Sequence, residues 1–462
     1  MTGGDFTIVE LLVLTACVAV AAHFLAAEKM RRSVDHTSAL HSRPMYYGIF
    51  FAFWIFVPVL VASAIWLILA PRWVDGQMIA ALTANGMLVG GEDASLAINE
   101  IRNVVNGSSV TNEDRLLAMA RLLAGSESQA LRLMYYIAPL LAAGFGVFVW
   151  QRLRPDFPAR VAVEKYMRGM LFIASTIAVM TTLGIVASVL MESVRFFGMV
   201  PPTDFLFGVD WSPQTAIRDD QIGGSGAFGA LPLFAGTILI TLLAMLVAAP
   251  VGLMTAVYLH EYAAPGFRAV AKPVLEILAG IPTVVYGFFA AIIVAPAFQR
   301  IGVITGLDIA SESAIAAGLV VGIMIIPLIS SLSDDALAAV PQSLKNGSLA
   351  LGATRSETLR RVMLPAALPG IVGGFLLALS RAIGETMIVV MAAGLAANLT
   401  VNPFEAVTTV TVQIVTILVG DQEFDSAKTL AAFALGFVLF LVTLLLNATG
   451  LRFVRRYRER YE

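Results

Sequence analysis

The sequence predicts an all-α integral membrane protein, a polytopic bundle of about nine transmembrane helices. Of its 462 residues, 58% are hydrophobic and only 13% are charged, and the mean hydropathy is +0.84. An ordinary soluble domain carries about 25% charged residues, and a soluble chain this apolar would lack a polar surface to show water. Lipid is therefore the expected solvent for most of the chain.

Nine stretches are long and apolar enough to cross the hydrocarbon core, which takes about 20 helical residues. Proline lies in or near several of the later stretches, which is tolerated where neighbouring helices satisfy the freed backbone groups. A packed bundle is therefore expected. The predicted spans are Thr7–Leu25, Met45–Ala70, Leu133–Trp150, Met170–Met191, Leu231–Leu259, Pro273–Pro296, Ala314–Leu332, Leu368–Gly394 and Ala431–Leu446.

The first span has an alternative interpretation as a cleaved signal peptide. A signal peptide needs positive charge ahead of its apolar core, but Met1–Glu10 contains two acidic residues and no lysine or arginine. The first basic residue of this region, Lys29, follows the span. The pattern favours a retained helix with its N-terminus outside.

Three clusters of basic residues predict the orientation of the chain. They lie between spans three and four, between spans seven and eight, and after span nine. Because an even number of spans separates each cluster from the next, all three lie on the same side of the membrane. Loops rich in lysine and arginine stay in the cytoplasm, and the C-terminus is therefore expected inside. The clustered residues are Arg152, Arg154, Arg160, Lys165, Arg168, Lys345, Arg355, Arg360, Arg361, Arg452, Arg455, Arg456, Arg458 and Arg460.

Two domains are expected. Residues 1–169 form an N-terminal extension with about three transmembrane helices and an extracytoplasmic insertion at 71–132, in which Asp114–Leu123 has a helical pattern. Residues 170–462 form a second domain with about six transmembrane helices. Its stretch Ala406–Val419 is too short and too rich in threonine for a span, and we expect a re-entrant or surface helix there. The outer loops would be the docking face for an extracytoplasmic partner.

Span eight carries two charges, Arg381 and Glu385, with Ser380 and Thr386 beside them. An arginine at the centre of a transmembrane helix costs about 2.5–3.5 kcal/mol on insertion scales. Because the two charges are four residues apart, they would share a helix face and could pair.

Two hypotheses follow for this pair. In the first, it is an internal ion pair that fixes helix packing. In the second, Arg381 lines a water-filled path and attracts a tetrahedral oxyanion, since two anion oxygens fit the guanidinium fork. Glu385 would then hold Arg381 in place and keep the anion from binding too tightly to leave.

The predicted inside loop 333–365 contains two short helices around a glycine. Residues 348–351 form the first, Gly352 breaks it, and Ser356–Met363 resumes an amphipathic helix with Ser356 as a candidate N-cap. The loop is either an ordinary capped connection or a knob that fits a cleft on a soluble partner and transmits its movement.

The residues offer no catalytic chemistry of their own. The sequence has no Gly-x-x-x-x-Gly-Lys-Ser/Thr motif, so ATP must be hydrolysed by another chain. We expect no enzyme activity, no metal site, no cofactor within this chain and, at a net charge of −2, no nucleic-acid partner. The single cysteine is Cys17, and the histidines, which we interpret as interfacial or loop residues, are His23, His36, His41 and His260.

The inside loop resembles the coupling loop of ABC-importer permeases. That loop has Glu-Ala-Ala, three residues, Gly, nine residues and Ile-x-Leu-Pro; here Asn346-Gly-Ser348 stands in place of Glu-Ala-Ala. The positions that match are Gly352, Val362, Leu364 and Pro365. The resemblance implies a type I ABC importer (MetI-like) permease core, with this loop docking on a nucleotide-binding subunit. The residues that it places in the docking contact are Leu349, Ala350, Leu351, Gly352, Ala353 and Thr354.

A second resemblance narrows the family. Arg381-Ala-Ile-Gly-Glu-Thr386, taken with the coupling loop, resembles the signature of the PstC family of phosphate ABC transporter permeases, and 228–232 and 280–287 also match. The resemblance covers about Leu206–Arg456, while the first 165 residues resemble the extension of a longer subset. It implies that Arg381 and Glu385 are the charged pair linked with phosphate passage.

The resemblance also implies a function and partners. The chain would be a multi-pass permease subunit of the bacterial inner membrane that moves inorganic phosphate into the cytoplasm. It would form a heterodimer with a second, PstA-like permease and work with a periplasmic PstS-like phosphate-binding protein. Two PstB-like ATPase subunits would bind ATP and magnesium and supply the energy.

The residues alone leave two other functions open. One is a permease of the same class for sulfate or molybdate, since an arginine does not choose among oxyanions. The other is a membrane sensor that regulates phosphate signalling without transport, with Pro71–Arg132 as its detecting part.

Overall fold

A computed structural model describes residues 7–36, 39–85, 94–105, 114–215, 225–419 and 426–458. Within these ranges, nine helices are long and apolar enough to cross a membrane, which confirms the predicted all-helical polytopic class. The chain divides into two compact units, Met1–Val179 and Met180–Glu462, and the division falls inside one helix. The predicted domain boundary after residue 169 stays a prediction.

The first unit consists of long helices with small side chains at their contacts. A capping box of Thr7 and Glu10 begins the first helix, because each side chain satisfies a backbone N–H that the helix start leaves free. The alanines Ala19, Ala22 and Ala26 are buried together with aromatic residues of the second helix. The elements are α1 (Ile8–Arg32), α2 (Pro44–Ala84), α3 (Ala94–Val105), α4 (Asp114–Arg152) and the first half of α5 (Ala159–Met199).

The predicted insertion at 71–132 is not a separate loop. Helix α2 continues to Ala84 and α4 begins at Asp114, so both run past the predicted spans, and α3 packs on them. The helical pattern predicted at Asp114–Leu123 is confirmed as the start of α4. Amphipathic packing makes these extensions helical, and their shared apolar cluster includes Val74, Met78, Leu82, Ile98, Ile101 and Leu123. The extracytoplasmic position of the insertion stays a prediction.

The second unit follows with shorter elements and three π-helical turns. It also contains a two-stranded antiparallel sheet, which the all-helical prediction did not include. The elements are α6 (Pro202–Phe207), β1 (Trp211–Thr215), β2 (Ser225–Phe228), α7 (Leu231–Val257), a π-turn (Tyr258–Tyr262), α8 (Pro265–Ala279), α9 (Thr283–Phe289), a π-turn (Ala290–Val294), α10 (Ala295–Thr305), α11 (Ala314–Ala338), α12 (Gln342–Ala350), α13 (Arg355–Thr358), a π-turn (Leu359–Met363), α14 (Leu364–Ile383), α15 (Met387–Ala392), α16 (Val410–Val419) and α17 (Ala427–Arg458).

Helix α11 forms the centre of the second unit, packed between α7 and α14. Glycines permit the close approach. A β-carbon built at Gly318 would lie 2.6 Å from Leu243 Cβ, and one at Gly374 would lie 2.9 Å from Leu332 Cβ. Small residues at such positions let membrane helices gain van der Waals contact.

The predicted sixth span, Pro273–Pro296, is wrong in its bounds. Helix α8 ends at Ala279, and the spanning helix begins at Thr283 and continues to Thr305. Pro282 lies at the break in a non-helical conformation and has no N–H to continue the ladder. The hydropathy pattern missed this break because both sides of it are apolar.

The predicted eighth span, Leu368–Gly394, also contains a break. Helix α14 ends at Ile383, and the chain resumes as the six-residue α15 at Met387. In the stretch predicted as a re-entrant or surface helix, the structure has the ten-residue α16, which is too short to span and packs against α17 and α7. Its position relative to the membrane surface stays a prediction.

The close contact of α11 and α14 gives a first prediction. Gly370→Ala should lower the thermal stability of the purified protein, because the new β-carbon would lie 2.7 Å from Ala336 Cβ. Overpacking of this kind costs about 1–3 kcal/mol. The matched control is Gly373→Ala in the same helix, where nothing lies within 4 Å; alanine there should be neutral or stabilising by up to about 1 kcal/mol. Equal melting temperatures for the two variants would contradict the packing assigned to α11.

Candidate functional site

The loop between α11 and α14 has a sharp elbow at Gly352. Helix α12 ends at Ala350, and Gly352 has a φ of 85°, in the left-handed region that L side chains rarely adopt. Helix α13 then begins at Arg355 with Thr354 as its N-cap, in a capping box with Glu357. The two-helix elbow is confirmed, but the predicted N-cap, Ser356, is wrong: it lies inside α13, where the Thr354 hydroxyl already accepts the Glu357 N–H.

The elbow presents apolar side chains. Leu351 is 91% exposed at its tip, and Leu349 beside it is 38% exposed. The assigned contact residues Ala350, Ala353 and Thr354 flank them in sequence. Exposed apolar residues of this kind mark an interaction surface when they cluster. The role of residues 349–354 in docking stays a prediction.

Arg381 lies in the last turn of α14, not at the centre of a continuous helix. The C-terminal end of a helix carries partial negative charge, which stabilises a cation there by about 0.3–1 kcal/mol. The Arg381 side chain is exposed, and its Nη2 donates to Met324 Sδ of α11 at 3.8 Å. The guanidinium therefore lies beside α11.

The predicted ion pair between Arg381 and Glu385 is wrong. Glu385 falls in the break after α14, so the two residues do not share a helix face. Its buried carboxylate accepts the Ile388 N–H at 3.2 Å and caps the first turn of α15. The Glu385 carbonyl accepts the Thr411 hydroxyl at 3.0 Å, which connects the break to α16.

The other two predicted path residues point to different neighbours. The Ser380 hydroxyl donates to Asn447 Oδ1 of α17 at 2.9 Å, and so joins α14 to α17. The Thr386 hydroxyl donates weakly to the Gly384 carbonyl at 3.4 Å. The structure thus brings the four residues to one end of α14 but does not orient them toward one point.

Sequence reasoning missed a cluster of charges at the C-terminal end of α11. The Asp334 side chain is 4% exposed and accepts from Arg268 Nη2 at 2.9 Å and Lys272 Nζ at 2.8 Å, both on α8. His260 Nδ1 lies 3.0 Å from the same carboxylate. Lys272 also contacts Asp335 at 3.2 Å. The Asp334 carboxylate raises the pKa of the Lys272 ammonium, against the effect of burial, so the ammonium stays charged.

His260 was predicted to be an interfacial or loop residue, and its position relative to the membrane surface stays a prediction. It lies in the π-turn that ends α7, and its side chain is 10% exposed in the Asp334 cluster. The next residue, Glu261, is 4% exposed and accepts from Lys345 Nζ of α12 at 2.7 Å. The only sequence signal was the spacing of Arg268 and Lys272, which places them on one helix face.

Two family models match the chain. The model described as phosphate ATP-binding cassette transporter matches residues 11–181, and the model described as binding-protein-dependent transport system inner membrane component matches residues 248–459. The two matches fall on opposite sides of residue 200.

Sequence relatives agree with these models. A probable ABC transporter permease protein, YqgH of Bacillus subtilis, is 34% identical over 60% of this chain and 84% of its own length. The phosphate transport system permease protein PstC 1 of Mycobacterium tuberculosis is 32% identical over 58% of this chain and 84% of its own length. A solved chain of the MetNI methionine ABC transporter is 20% identical, with a TM-score of 0.36 over 50% of this chain and 94% of that chain. Because that TM-score is low, the family assignment is based on the family models and the sequence relatives alone. The chain therefore belongs to the PstC family of phosphate ABC transporter permeases, inner-membrane components of binding-protein-dependent transport systems.

Proposed function

We propose that this chain is the permease subunit of an ABC importer that moves inorganic phosphate into the cytoplasm. It pairs with a second, PstA-like permease and receives phosphate from a PstS-like binding protein at its outer loops. Two PstB-like ATPase subunits bind ATP and magnesium and hydrolyse the ATP. The C-terminus lies in the cytoplasm, as the basic loops predict.

The main structural support for this function is the Arg381 guanidinium. It forms no ion pair with any carboxylate among the described residues, and its side chain is exposed at the end of a transmembrane helix. A charge at such a place needs water, a partner chain or a passing anion, because hydrocarbon does not solvate it. A guanidinium binds two oxygens of a tetrahedral oxyanion at once. The relatives named as phosphate transport permeases support phosphate as that anion.

Contrary to the sequence prediction, the Glu385 carboxylate does not hold Arg381 in place. Since it caps α15 and does not touch Arg381, it leaves the guanidinium available to the anion. An ionised Glu385, four residues from Arg381, would weaken anion binding, and a conducting site needs weak binding for release.

Transport follows an alternating-access cycle. Nucleotide closure moves the ATPase subunits, and the elbow at Gly352 docks on them. The elbow continues through α13 and a π-turn into α14, whose far end carries Arg381. Rocking of α14 and its neighbours then exposes the Arg381 region first to the outside and next to the cytoplasm.

Arg381→Gln should strongly reduce phosphate uptake without preventing assembly. Losing a charged hydrogen-bond donor removes about 1.5–3 kcal/mol of interaction with the anion, so uptake at low phosphate should fall at least about tenfold. The measurement is uptake of radiolabelled phosphate into vesicles that contain the whole complex. The control is Arg300→Gln, which removes an exposed arginine of α10.

Three results would contradict parts of this proposal. Normal uptake by Arg381→Gln would remove Arg381 from the path. Sulfate that competes as well as phosphate would indicate a permease for another oxyanion. A complex that regulates phosphate signalling but has no measurable flux would indicate a sensor.

A change at the elbow should uncouple transport from ATP hydrolysis. Gly352→Ala forces a side chain into the left-handed conformation at φ 85°, at a cost of about 1–2 kcal/mol, and should reduce the ATPase stimulation caused by phosphate-loaded binding protein. The matched control is Gly347→Ala inside α12, where nothing lies within 4 Å and where the coupling-loop pattern that the chain resembles has alanine. Full stimulation of the Gly352→Ala complex would show that the elbow conformation is not needed for coupling.

A further inference from the structure

A hydrogen bond and an ion pair meet at the π-turn that ends α7. His260 contacts Asp334 of α11, and Glu261, the next residue, contacts Lys345 of α12. Consecutive residues of a helix point in different directions, so this turn reaches two separate elements at once. π-turns often mark functional positions in helices.

Both carboxylates are removed from water. The side chains of Glu261 and Asp334 are each 4% exposed. These contacts include three carboxylates, those of Glu261, Asp334 and Asp335, and three cations, Arg268, Lys272 and Lys345. The positive and negative charges are therefore equal in number when His260 is neutral. A buried carboxylate that loses its cation is strongly unfavourable. These contacts therefore differ from exposed salt bridges, which contribute little.

Helix α12 is joined to α11 by residues 339–341 and packs on the π-turn Leu359–Met363 and on α13. None of its side chains is buried. Its side-chain hydrogen bonds are the Lys345–Glu261 pair and a contact between Ser348 and Thr358 of α13 at 3.0 Å. The second contact stays within the coupling loop, so the ion pair is the hydrogen-bonded connection between α12 and α7.

Helix α7 in turn packs closely along α11. A β-carbon at Gly252 of α7 would lie 2.7 Å from Ile329 Cγ2, and one at Gly322 of α11 would lie 2.9 Å from the Ala244 carbonyl. A displacement applied to the π-turn is therefore passed to both helices. Asp334 fixes the same end of α11 to α8.

We propose that the Lys345–Glu261 ion pair is the mechanical link through which movement of α12 reaches α7, in addition to the short covalent connection of α12 to α11. This inference depends on the proposed function in one respect, that the ATPase docks on the coupling loop. Lys345 and Glu261 are positioning residues: they touch neither phosphate nor nucleotide, and they convert displacement of α12 into displacement of the helix beside Arg381.

The experiment uses the complete complex in nanodiscs, with ATPase activity measured with and without phosphate-loaded binding protein. The informative variant is Lys345→Met combined with Glu261→Gln. It removes both charges, so no buried charge is left unpaired and the complex should assemble with an unchanged melting temperature. We expect its basal ATPase rate to stay normal and its stimulation by loaded binding protein to fall at least fivefold.

Two further variants separate the link from other roles. Lys345→Arg keeps the charge and should keep stimulation. The exchange Lys345→Glu with Glu261→Lys restores the pair in reverse and should recover at least half of the stimulation, which it would not do if Lys345 acted by touching the ATPase.

The outcomes distinguish this inference from the proposed function. If the uncharged double variant keeps full stimulation and uptake, the pair only stabilises the fold and the inference is wrong. If the exchanged pair does not recover, the ion pair is not the link. If the wild-type complex hydrolyses ATP without responding to loaded binding protein, the proposed function fails and the inference falls with it.

Discussion

The packing of α11 between α7 and α14 is the constraint on which the rest of the second unit depends. Glycines on all three helices bring the backbones together, and α11 is the most buried of the nine candidate spans that the structure describes. Lipid gives no hydrophobic force between helices, so such contacts need small residues and shape. Because the helices fit this closely, α11 has little freedom to move without its neighbours.

Both charged regions are attached to this one helix. Met324 contacts Arg381, and Asp334, ten residues along, binds the cations of α8. Ten helical residues span about 15 Å, so α11 connects the neighbourhood of Arg381, the proposed oxyanion site, with the face beside the coupling loop. A rigid helix between the two regions explains how a movement at the ATPase could change the surroundings of an anion without any side chain in common.

The sequence was sufficient for features that depend on local pattern, such as the nine apolar helices and the glycine elbow at Gly352. It was insufficient where apolar residues continue across a break, as at Pro282 and at Glu385, because hydropathy does not register a change of direction. The Asp334 cluster was also out of reach, since His260 and Asp334 are 74 residues apart and meet only after the helices pack. The pairing of Arg381 with Glu385 was wrong because it assumed an unbroken helix, and hydropathy did not reveal the break after Ile383.

In the proposed cycle, Arg381 faces a hydrated passage. The most direct measurement uses the single cysteine of the chain: Cys17→Ala gives a cysteine-free background, and Arg381→Cys then places one thiol at the site in the assembled complex. We predict that an anionic, membrane-impermeant thiol reagent modifies this cysteine and that the rate changes between the nucleotide-free and ATP-trapped states. A thiol that resists this reagent in both states, and reacts only with a lipid-soluble maleimide, would contradict the claim.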